Sequence, residues 1–371
     1  MNNSNRKKLF IVRRESGGIG GAEKVAHRFV KAFSKHFDTE LIHAGKKING
    51  MRIKGTKGPS WLKCLRFAKS AREFLDKQED VLVLSMERGV PGTIYRAGDG
   101  VHKVWMKIKY QNSIKWVFNP INWLLPDLEK ISIGQSDFVV ANSDMIRSEI
   151  LSHYKVQRNK IHVISNGYDP SKFFELKNNE RCALRNRLGM EENSLHLLFA
   201  GSGWQRKGLM WVFQLVTEIS KKPTKVKLWI AGKGKQEKLK KTATSLRINS
   251  NVVFLGSVEN IAEYYQAADC MVLPTKYDPF SNSCLEAYAC ECRILTTINN
   301  GASSLISCEQ EGFIINEIDQ KSVSNAVNFL TKRGCQATIK PFLKKQNYTE
   351  SKEIKGYIDL FKLIELVHLS G

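Results

Sequence analysis

Residues 277–290 read Tyr-Asp-Pro-Phe-Ser-Asn-Ser-Cys-Leu-Glu-Ala-Tyr-Ala-Cys and contain the strongest indication of how this chain folds. They follow a short apolar segment at 271–273 that is typical of a buried strand. Small polar residues at 281–283 stand where a helix would begin, and the free N–H groups and positive end of a helix favour a phosphate or sugar hydroxyls. Two carboxylates, Asp278 and Glu286, lie eight positions apart, and Glu286 would reach a ribose from about one turn into the helix. An ordinary strand–loop–helix with a solvated Asp and Glu would have the same pattern.

On both sides of this stretch, short apolar segments alternate with helical patterns, which predicts α/β architecture with parallel sheets. Turn-rich residues at 166–170 and polar residues at 177–180 indicate a break between two halves. The expected strands are 9–12, 40–43, 81–84, 92–96, 138–140 and 162–164, then 196–199, 227–231, 252–255, 270–273, 293–296 and 312–314. The expected helices are 22–36, 61–77 and 144–154, then 209–220, 236–246, 261–267, 284–290, 322–331 and 351–368.

The composition is that of a globular protein with an excess of positive charge. The 371 residues suffice for two domains, and 42% hydrophobic and 25% charged residues are ordinary values. The formal net charge of +22 predicts an anionic partner such as nucleic acid, an acidic polymer or an anionic membrane surface. Charge that serves solubility alone is the alternative.

Neither a membrane span nor a secretion signal is visible in the sequence. No apolar stretch approaches the roughly 20 residues that cross a bilayer. The apolar segment at 9–12 is too short for the core of a signal peptide, so we expect a cytoplasmic protein. The eight cysteines show no repeated metal-ligand spacing, and we expect reduced thiols that are mostly in the core.

Two glycine-rich loops follow predicted strands. Residues 16–23 read Ser-Gly-Gly-Ile-Gly-Gly-Ala-Glu; Gly20 and Gly21 would let the backbone approach a phosphate at a helix start, or would only form a tight turn. Because the four glycines fall in two pairs, this is not a dinucleotide-binding fingerprint.

The second loop, residues 201–208, reads Gly-Ser-Gly-Trp-Gln-Arg-Lys-Gly. Arg206 and Lys207 would open the next helix, where two cations oppose the helix dipole, so we expect them to bind an anion. A solvated basic pair is the alternative.

Together these motifs resemble the signature of the retaining glycosyltransferases of family 4, in which two Glu residues bracket seven others. Asp278 replaces the first Glu here, and the signature continues through small residues at 287–292 into the next strand. The family's interdomain segment is similar to Asn166-Gly167-Tyr168-Asp169 with the two Phe residues at 173 and 174. The resemblance implies the GT-B fold, with two Rossmann-like domains facing across a cleft. Residues 1–166 would form the first domain, onto which a helix at 350–371 packs back, and residues 167–349 would form the second.

The resemblance also implies an activity. The chain looks most like the lipopolysaccharide core glucosyltransferases, which move glucose from UDP-glucose to a glycan acceptor at the cytoplasmic face of the membrane; mannosyl or galactosyl transfer to another surface glycan stays open. Arg206 and Lys207 would stabilise the leaving diphosphate, Asp278 would contact the donor sugar and Glu286 the ribose. The other residues expected to bind the donor are Gly20, Gly21, Gly203, Phe280, Ser281, Asn282 and Ser283. Since the sequence contains no Asp-x-Asp, we expect no metal and no other cofactor.

An acceptor-binding residue is expected in the first half. Asp99, in Arg-Ala-Gly-Asp-Gly at 96–100, follows a predicted strand and would contact the acceptor hydroxyl or support its deprotonation. His102 could share that role. An Asp in a glycine-rich turn is the alternative.

Residues 101–125 interleave lysines with aromatic residues, among them Trp105, Trp116 and Trp123. Such a segment suits an anionic membrane surface, with rings at headgroup level; a helix that packs its aromatics inward is equally compatible. A nucleic-acid-binding protein is the competing function. No such module is visible, and the Asp278–Glu286 pair would repel phosphate unless it faced sugar hydroxyls, so no nucleic acid is expected.

Overall fold

The computed structural model describes residues 6–15, 21–45, 50–53, 58–111, 113–332, 342 and 344–370. The chain divides into two compact units. The first contains Met1–Ser165 and Ser351–Gly371, and the second contains Asn166–Glu350. No described helix is both long and apolar enough to cross a membrane.

The strands, in chain order, are β1 (Lys8–Val12), β2 (Asp38–His43), β3 (Met51–Arg52), β4 (Val81–Ser85), β5 (Ile94–Arg96), β6 (Phe138–Ala141), β7 (Ile161–Val163), β8 (Ser194–Ala200), β9 (Lys225–Ala231), β10 (Val252–Gly256), β11 (Cys270–Leu273), β12 (Arg293–Thr297) and β13 (Gly312–Ile315). The α-helices are α1 (Gly21–Phe33), α2 (Ser60–Leu75), α3 (His102–Tyr110), α4 (Ile121–Gln135), α5 (Asp144–His153), α6 (Asn178–Arg187), α7 (Leu209–Ser220), α8 (Gln236–Ser245), α9 (Ile261–Ala267), α10 (Asn282–Ala289), α11 (Gln320–Thr331) and α12 (Glu350–Ser370).

The first unit is a parallel sheet covered on both faces. Its described strands follow the order β3-β2-β1-β4-β5-β6-β7. Alternate residues of β1 point to opposite faces, as strand geometry requires. Leu9 and Ile11 join the core cluster that includes residues of α1 and α12, and Phe10 and Val12 join the cluster that includes residues of α2.

Helix α12 is held in this unit by aromatic contacts. The Tyr357 ring lies 5.2 Å from the ring of Phe29, and the Phe361 ring lies 6.3 Å from that of Phe33. Edge-on ring pairs at such distances add to the area that they bury. The C-terminal helix therefore completes the core of the first unit.

The second unit repeats the plan, with parallel strands in the order β10-β9-β8-β11-β12-β13. Strands β8, β11 and β12 are adjacent at its centre, with Leu197 opposite Cys270 and Met271 opposite Ile294. Because parallel strands end at the same edge of a sheet, the loops that follow these three strands meet there.

The structure corrects three expectations about the elements. The polar segment at 177–180 is the start of α6 rather than a linker, because the Glu180 carboxylate accepts the Lys177 backbone N–H at 2.9 Å and so caps the helix. Arg206 and Lys207 precede α7 instead of opening it; Gly208, with φ +80°, occupies the N-cap position. Strand β3 and helices α3 and α4 were not expected.

The described cysteines are all free thiols. Five are buried and two are exposed, which agrees with the expectation of reduced, mostly internal cysteines; Cys335 lies outside the described residues. The buried ones are Cys64, Cys270, Cys284, Cys290 and Cys292, and the exposed ones are Cys182 and Cys308.

Candidate functional site

The loop after β8 is shaped by glycines. Gly201, Gly203 and Gly208 all have positive φ, at +133°, +75° and +80°. A methyl group at Gly208 would overlap the carbonyl oxygen of Pro274, so only glycine lets this loop lie against the loop after β11. The Lys276 N–H donates to the Arg206 carbonyl at 2.8 Å and joins the two loops further.

Two of the predicted charged residues meet in these loops. Arg206 Nη1 donates to the Tyr277 carbonyl at 2.6 Å and lies 3.4 Å from Asp278 Oδ2. The Asp278 side chain is largely buried, and the Arg206 guanidinium is more open to solvent. The pair therefore orients Arg206 toward the edge of the sheet, with donors left for a ligand.

Lys207 is the unusual cation of this loop. The residue is only 8% exposed, and its ammonium has no hydrogen bond or ion pair with any described residue. A methyl group on Gly201 would lie 2.5 Å from Lys207 Nζ, so the ammonium rests against that glycine. A buried cation without a counter-ion is costly, which is why such a group favours a bound anion.

The positive charge of Lys207 acts on Cys284, in the first turn of α10. Burial raises the pKa of the Cys284 thiol to about 11, and the positive charge of Lys207 opposes that rise. The ammonium and the N-terminal turn of α10 thus belong to one neighbourhood, where both favour negative charge.

Asn300, which the sequence did not single out, holds the loop before α10. Its buried side-chain oxygen accepts the N–H groups of Ser281 and Ala302 at 3.2 and 3.1 Å. Its side-chain nitrogen donates to Thr296 Oγ1 at 2.9 Å and to Cys284 Sγ at 3.5 Å. The only signal in the sequence was a polar residue just after a buried strand.

The residues expected around the helix start have different environments. Phe280 is a core residue whose ring stacks on Tyr348 at 6.3 Å, so its side chain does not face a ligand. Ser281 is buried at the N-cap position of α10. Asn282 accepts a hydrogen bond from Asn166 Nδ2 at 2.6 Å, and Ser283 is half-buried in the first turn. Backbone groups and Ser283 are therefore better placed than the Phe280 ring.

Glu286 lies farther along α10 and is half-buried. Its Oε2 accepts a hydrogen bond from the hydroxyl of Tyr265, on α9, at 3.1 Å. Tyr265 was not predicted, because nothing in an isolated apolar helix pattern shows that its hydroxyl meets this carboxylate.

In the first unit, Asp99 follows β5 and is surrounded by arginines. Arg13 Nη1 lies 2.9 Å from Asp99 Oδ2, and Arg88 Nη1 lies 4.0 Å from the same oxygen. Burial raises the pKa of Asp99, but the charges of Arg13 and Arg88 outweigh it and lower that pKa to about 2. So acidic a carboxyl is a weak base, which argues against deprotonation by Asp99 and leaves contact with an acceptor hydroxyl, since its side chain is 42% exposed.

His102 belongs to a buried network instead of sharing a site with Asp99. Glu129 accepts from Arg88 Nε at 2.8 Å, from the Tyr154 hydroxyl at 2.5 Å and from the His102 backbone N–H at 3.0 Å. Burial, aided by the charge of Arg88, lowers the pKa of His102 to about 4, so the ring is neutral at pH 7. The sequence did not reveal this network.

Only the end of the first glycine loop lies among the described residues. Gly20 lies outside the described residues, and Gly21 is the first residue of α1. Within the described ranges, no group of three or more His, Cys, Asp or Glu side chains has the arrangement of a metal site.

The aromatic segment of the first unit is open to solvent in part. Ile114, Phe118 and Trp123 are 71%, 81% and 53% exposed. Trp105 and Trp116 are half-buried, and the Trp116 ring lies 4.8 Å from that of Trp123. A helix that packs all of its aromatics inward is therefore not what the structure shows.

Two family models match this chain. Residues 19–172 match the model described as Glycosyltransferase Family 4, and residues 194–333 match the model described as Glycosyl transferases group 1.

Individual relatives share about a quarter of their residues with this chain over the matched region. An uncharacterized glycosyltransferase of Methanocaldococcus jannaschii is 26% identical over 244 residues, which are 64% of this chain and 62% of the relative. The lipopolysaccharide glucosyltransferase WaaG of Escherichia coli is 26% identical over 189 residues, half of each chain. The chain thus matches less than two thirds of the length of either relative.

Solved structures resemble the chain over nearly its whole length. The crystal structure of WaaG superposes with a TM-score of 0.76 at 18% identity and covers 97% of this chain and 98% of its own. The Anabaena protein HepE in complex with UDP-glucose gives a TM-score of 0.73 at 16% identity and covers 96% of this chain and 99% of its own. At such identities the likeness shows the fold alone.

Proposed function

Because the chain belongs to glycosyltransferase family 4 and has the GT-B fold, both as the sequence predicts, we propose that it is a retaining hexosyltransferase that uses a nucleotide-diphosphate sugar. The observation that carries the proposal is Lys207, a buried residue whose ammonium has no described counter-ion and which lies in the same loop as Arg206. UDP-glucose is the donor that we propose, with a lipopolysaccharide core or similar glycan as acceptor. WaaG, named a lipopolysaccharide glucosyltransferase, and the HepE complex with UDP-glucose support that choice.

The proposed reaction depends on stabilising the negative charge that develops on the leaving diphosphate. The bond between the sugar C1 and the diphosphate oxygen breaks, and the leaving diphosphate gains negative charge that Arg206 and Lys207 stabilise. The acceptor hydroxyl forms the new bond to C1 on the face from which the diphosphate departs, and a diphosphate oxygen takes the hydroxyl proton. The anomeric configuration is therefore retained without a protein nucleophile. Two fixed protein cations supply the charge stabilisation, so we propose that no metal is required.

The carboxylates bind hydroxyls in this proposal. Asp278 contacts the donor sugar while its Oδ2 remains paired with Arg206, and Glu286 contacts the ribose. Asp99 stays ionised because of its low pKa and accepts a hydrogen bond from an acceptor hydroxyl.

We further propose that the enzyme works at the inner face of the cytoplasmic membrane. Ile114, Val117, Phe118 and Trp123 form an exposed apolar surface, called the aromatic patch below. Exposed lysines at 107, 109 and 115 accompany it. Apolar side chains that enter the headgroup region, next to lysines that meet anionic lipid, are how peripheral proteins bind bilayers.

Vesicle sedimentation tests the membrane proposal. We expect Phe118→Ser to weaken binding to phosphatidylglycerol-containing vesicles by about fivefold or more, because a ring buried in the membrane is lost. Phe174→Ser removes an exposed ring from the second unit and should change nothing. Equal binding of both variants and the wild type would contradict a role for the patch.

Titration calorimetry tests the transferase proposal. UDP, GDP, UDP-glucose, UDP-galactose and GDP-mannose are each titrated in EDTA and then with Mg²⁺. We expect binding of the uridine series without metal, lost in Lys207→Met and kept in the control Lys222→Met, whose side chain is exposed. Binding of only the guanosine series would overturn the donor, and no binding at all would overturn the activity.

A further inference from the structure

We propose that Tyr265 is a positioning residue of the donor site, which acts on the nucleotide ribose through Glu286; the proposal rests on the ribose-binding role proposed for Glu286. Tyr265 lies on α9 and Glu286 on α10, so the hydrogen bond between them joins two helices of the second unit. Tyr265 itself is fully buried, so we propose that it acts through Glu286 and not by direct contact with the ligand.

The position of the Tyr265 ring is fixed by its surroundings. The residue is 1% exposed, and the Phe173 ring packs against it at a centroid distance of 6.1 Å. Helix α9 is held in turn by Gln266, whose Nε2 donates to the Phe174 carbonyl at 2.9 Å. A side chain packed on several sides keeps one rotamer, so its hydroxyl is a fixed donor.

The hydroxyl is a hydrogen-bond donor at neutral pH. Burial, together with the negative charge of Glu286, raises the pKa of Tyr265 well above its ordinary value. Glu286 therefore receives this hydrogen bond at Oε2, at 3.1 Å.

A hydrogen bond at one carboxylate oxygen orients the whole group. It fixes the plane of the Glu286 carboxylate and with it the directions of the lone pairs that would accept ribose hydroxyls. Ordering a half-buried carboxylate such as that of Glu286 at the moment of binding costs affinity. The hydrogen bond from Tyr265 removes part of that cost in advance.

The same helix supplies a matched control. Tyr288, on α10, is also fully buried, and its hydroxyl donates to Glu311 Oε1 at 2.8 Å. Tyr288→Phe and Tyr265→Phe thus remove the same chemical group from two equally buried tyrosines, each of which donates to a glutamate. They differ in that only one of the pairs contains Glu286.

The experiment compares two ligands on each protein. Dissociation constants for UDP and for 2′,3′-dideoxy-UDP are measured by calorimetry on the wild type, Tyr265→Phe, Tyr288→Phe and Glu286→Ala. The ratio of the two constants isolates the contribution of the ribose hydroxyls. Because both constants come from the same protein sample, a difference in stability between variants does not enter the ratio.

We expect the wild type and Tyr288→Phe to prefer UDP by about tenfold or more, as expected for a hydrogen bond to a charged group. Tyr265→Phe should lower that preference severalfold, and Glu286→Ala should abolish it. In turnover, Tyr265→Phe should raise the donor KM while kcat at saturating donor changes little. Tyr265→Phe with the wild-type ratio, beside Glu286→Ala with none, would overturn the role of Tyr265 alone. An unchanged ratio in Glu286→Ala would instead overturn the proposed role of Glu286.

Discussion

Replacement of Lys207 by Met should make the protein more stable and nearly inactive. Met keeps a similar length and an apolar chain but has no charge. In the wild type Lys207 is a buried residue whose ammonium has no described counter-ion, so the folded protein bears a desolvation cost that Met removes. Complete burial of an isolated charge would be far more costly; for a group that retains slight exposure we expect Lys207→Met to raise the free energy of unfolding by about 1–2 kcal/mol.

The effect on turnover should be larger and opposite. The loss of one fixed group that stabilises developing charge typically lowers kcat by about 10²- to 10³-fold, or about 2.7–4 kcal/mol. UDP at about 100 times its dissociation constant should stabilise the wild type by about 2.7 kcal/mol, and Lys207→Met by much less at the same concentration.

Urea unfolding with and without UDP, together with initial rates under saturating UDP-glucose, measures both effects. Lys222→Met, at an exposed lysine in the same unit, should leave stability and rate unchanged. A ligand-free Lys207→Met that is less stable than the wild type would mean that the ammonium serves the fold. Turnover within about threefold of the wild type would refute its role at the leaving group.

Three further changes test the geometry. Gly208→Ala adds a methyl group at a residue with positive φ, where it overlaps a neighbouring carbonyl oxygen, so we expect it to lower the free energy of unfolding in urea by about 3 kcal/mol. Gly203→Ala also adds a methyl group at positive φ but in open space, so we expect a loss of about 1 kcal/mol. Glu129→Gln should lower the free energy of unfolding by about 3 kcal/mol, because the largely buried Arg88 loses its nearest carboxylate and keeps only the more distant Asp99; an effect below about 1 kcal/mol would contradict that. Since the pKa of Asp99 is about 2 and its unfolded value is about 3.9, its ionised form favours the folded state above pH 4 and loses that effect as pH falls toward 2. Thermal melts of Asp99→Asn should therefore fall less steeply over that pH range than those of the wild type, and parallel curves would contradict this linkage.

The second unit could be predicted closely because its strands are covered on both faces. Buried parallel strands form continuous apolar runs that stand out from polar loops. Strand β11 begins and ends at the expected residues, as do helices α7 and α9. The glycine loop and the Asp278–Glu286 spacing lie directly after such strands, so their place at the sheet edge followed from the sequence.

The first unit was harder because a polar network fills part of its interior. Glu129 contacts Arg88 and Tyr154, which are 41 and 25 residues away in the sequence. A local sequence pattern cannot predict contacts between residues so far apart. Helix α4, which contains Glu129, also includes Pro126, a residue that ordinarily ends a helix. The low pKa of Asp99 arises from the same assembly of distant charges, so its weakness as a base was not visible in the sequence either.

In the proposed donor site, the residue types could be predicted but their partners could not. Tyr265 and Asn300 are ordinary members of a buried helix and a strand end when the sequence is considered alone. Only the folded chain brings the Tyr265 hydroxyl to Glu286 and the Asn300 carboxamide to the loop before α10.

These partners also explain how two carboxylates can flank a diphosphate. Unpaired, Asp278 and Glu286 would repel the anion that Lys207 favours. Asp278 is paired with Arg206, so its charge is partly compensated while the guanidinium keeps further donors for phosphate. The 3.4 Å separation is longer than a strong charge-assisted hydrogen bond, which leaves Arg206 free to improve its contact with a ligand. Glu286 accepts a hydrogen bond from the neutral Tyr265 hydroxyl, and this contact does not cancel its charge. In the proposed function, the positive and negative groups of the motif therefore contact different parts of one nucleotide sugar.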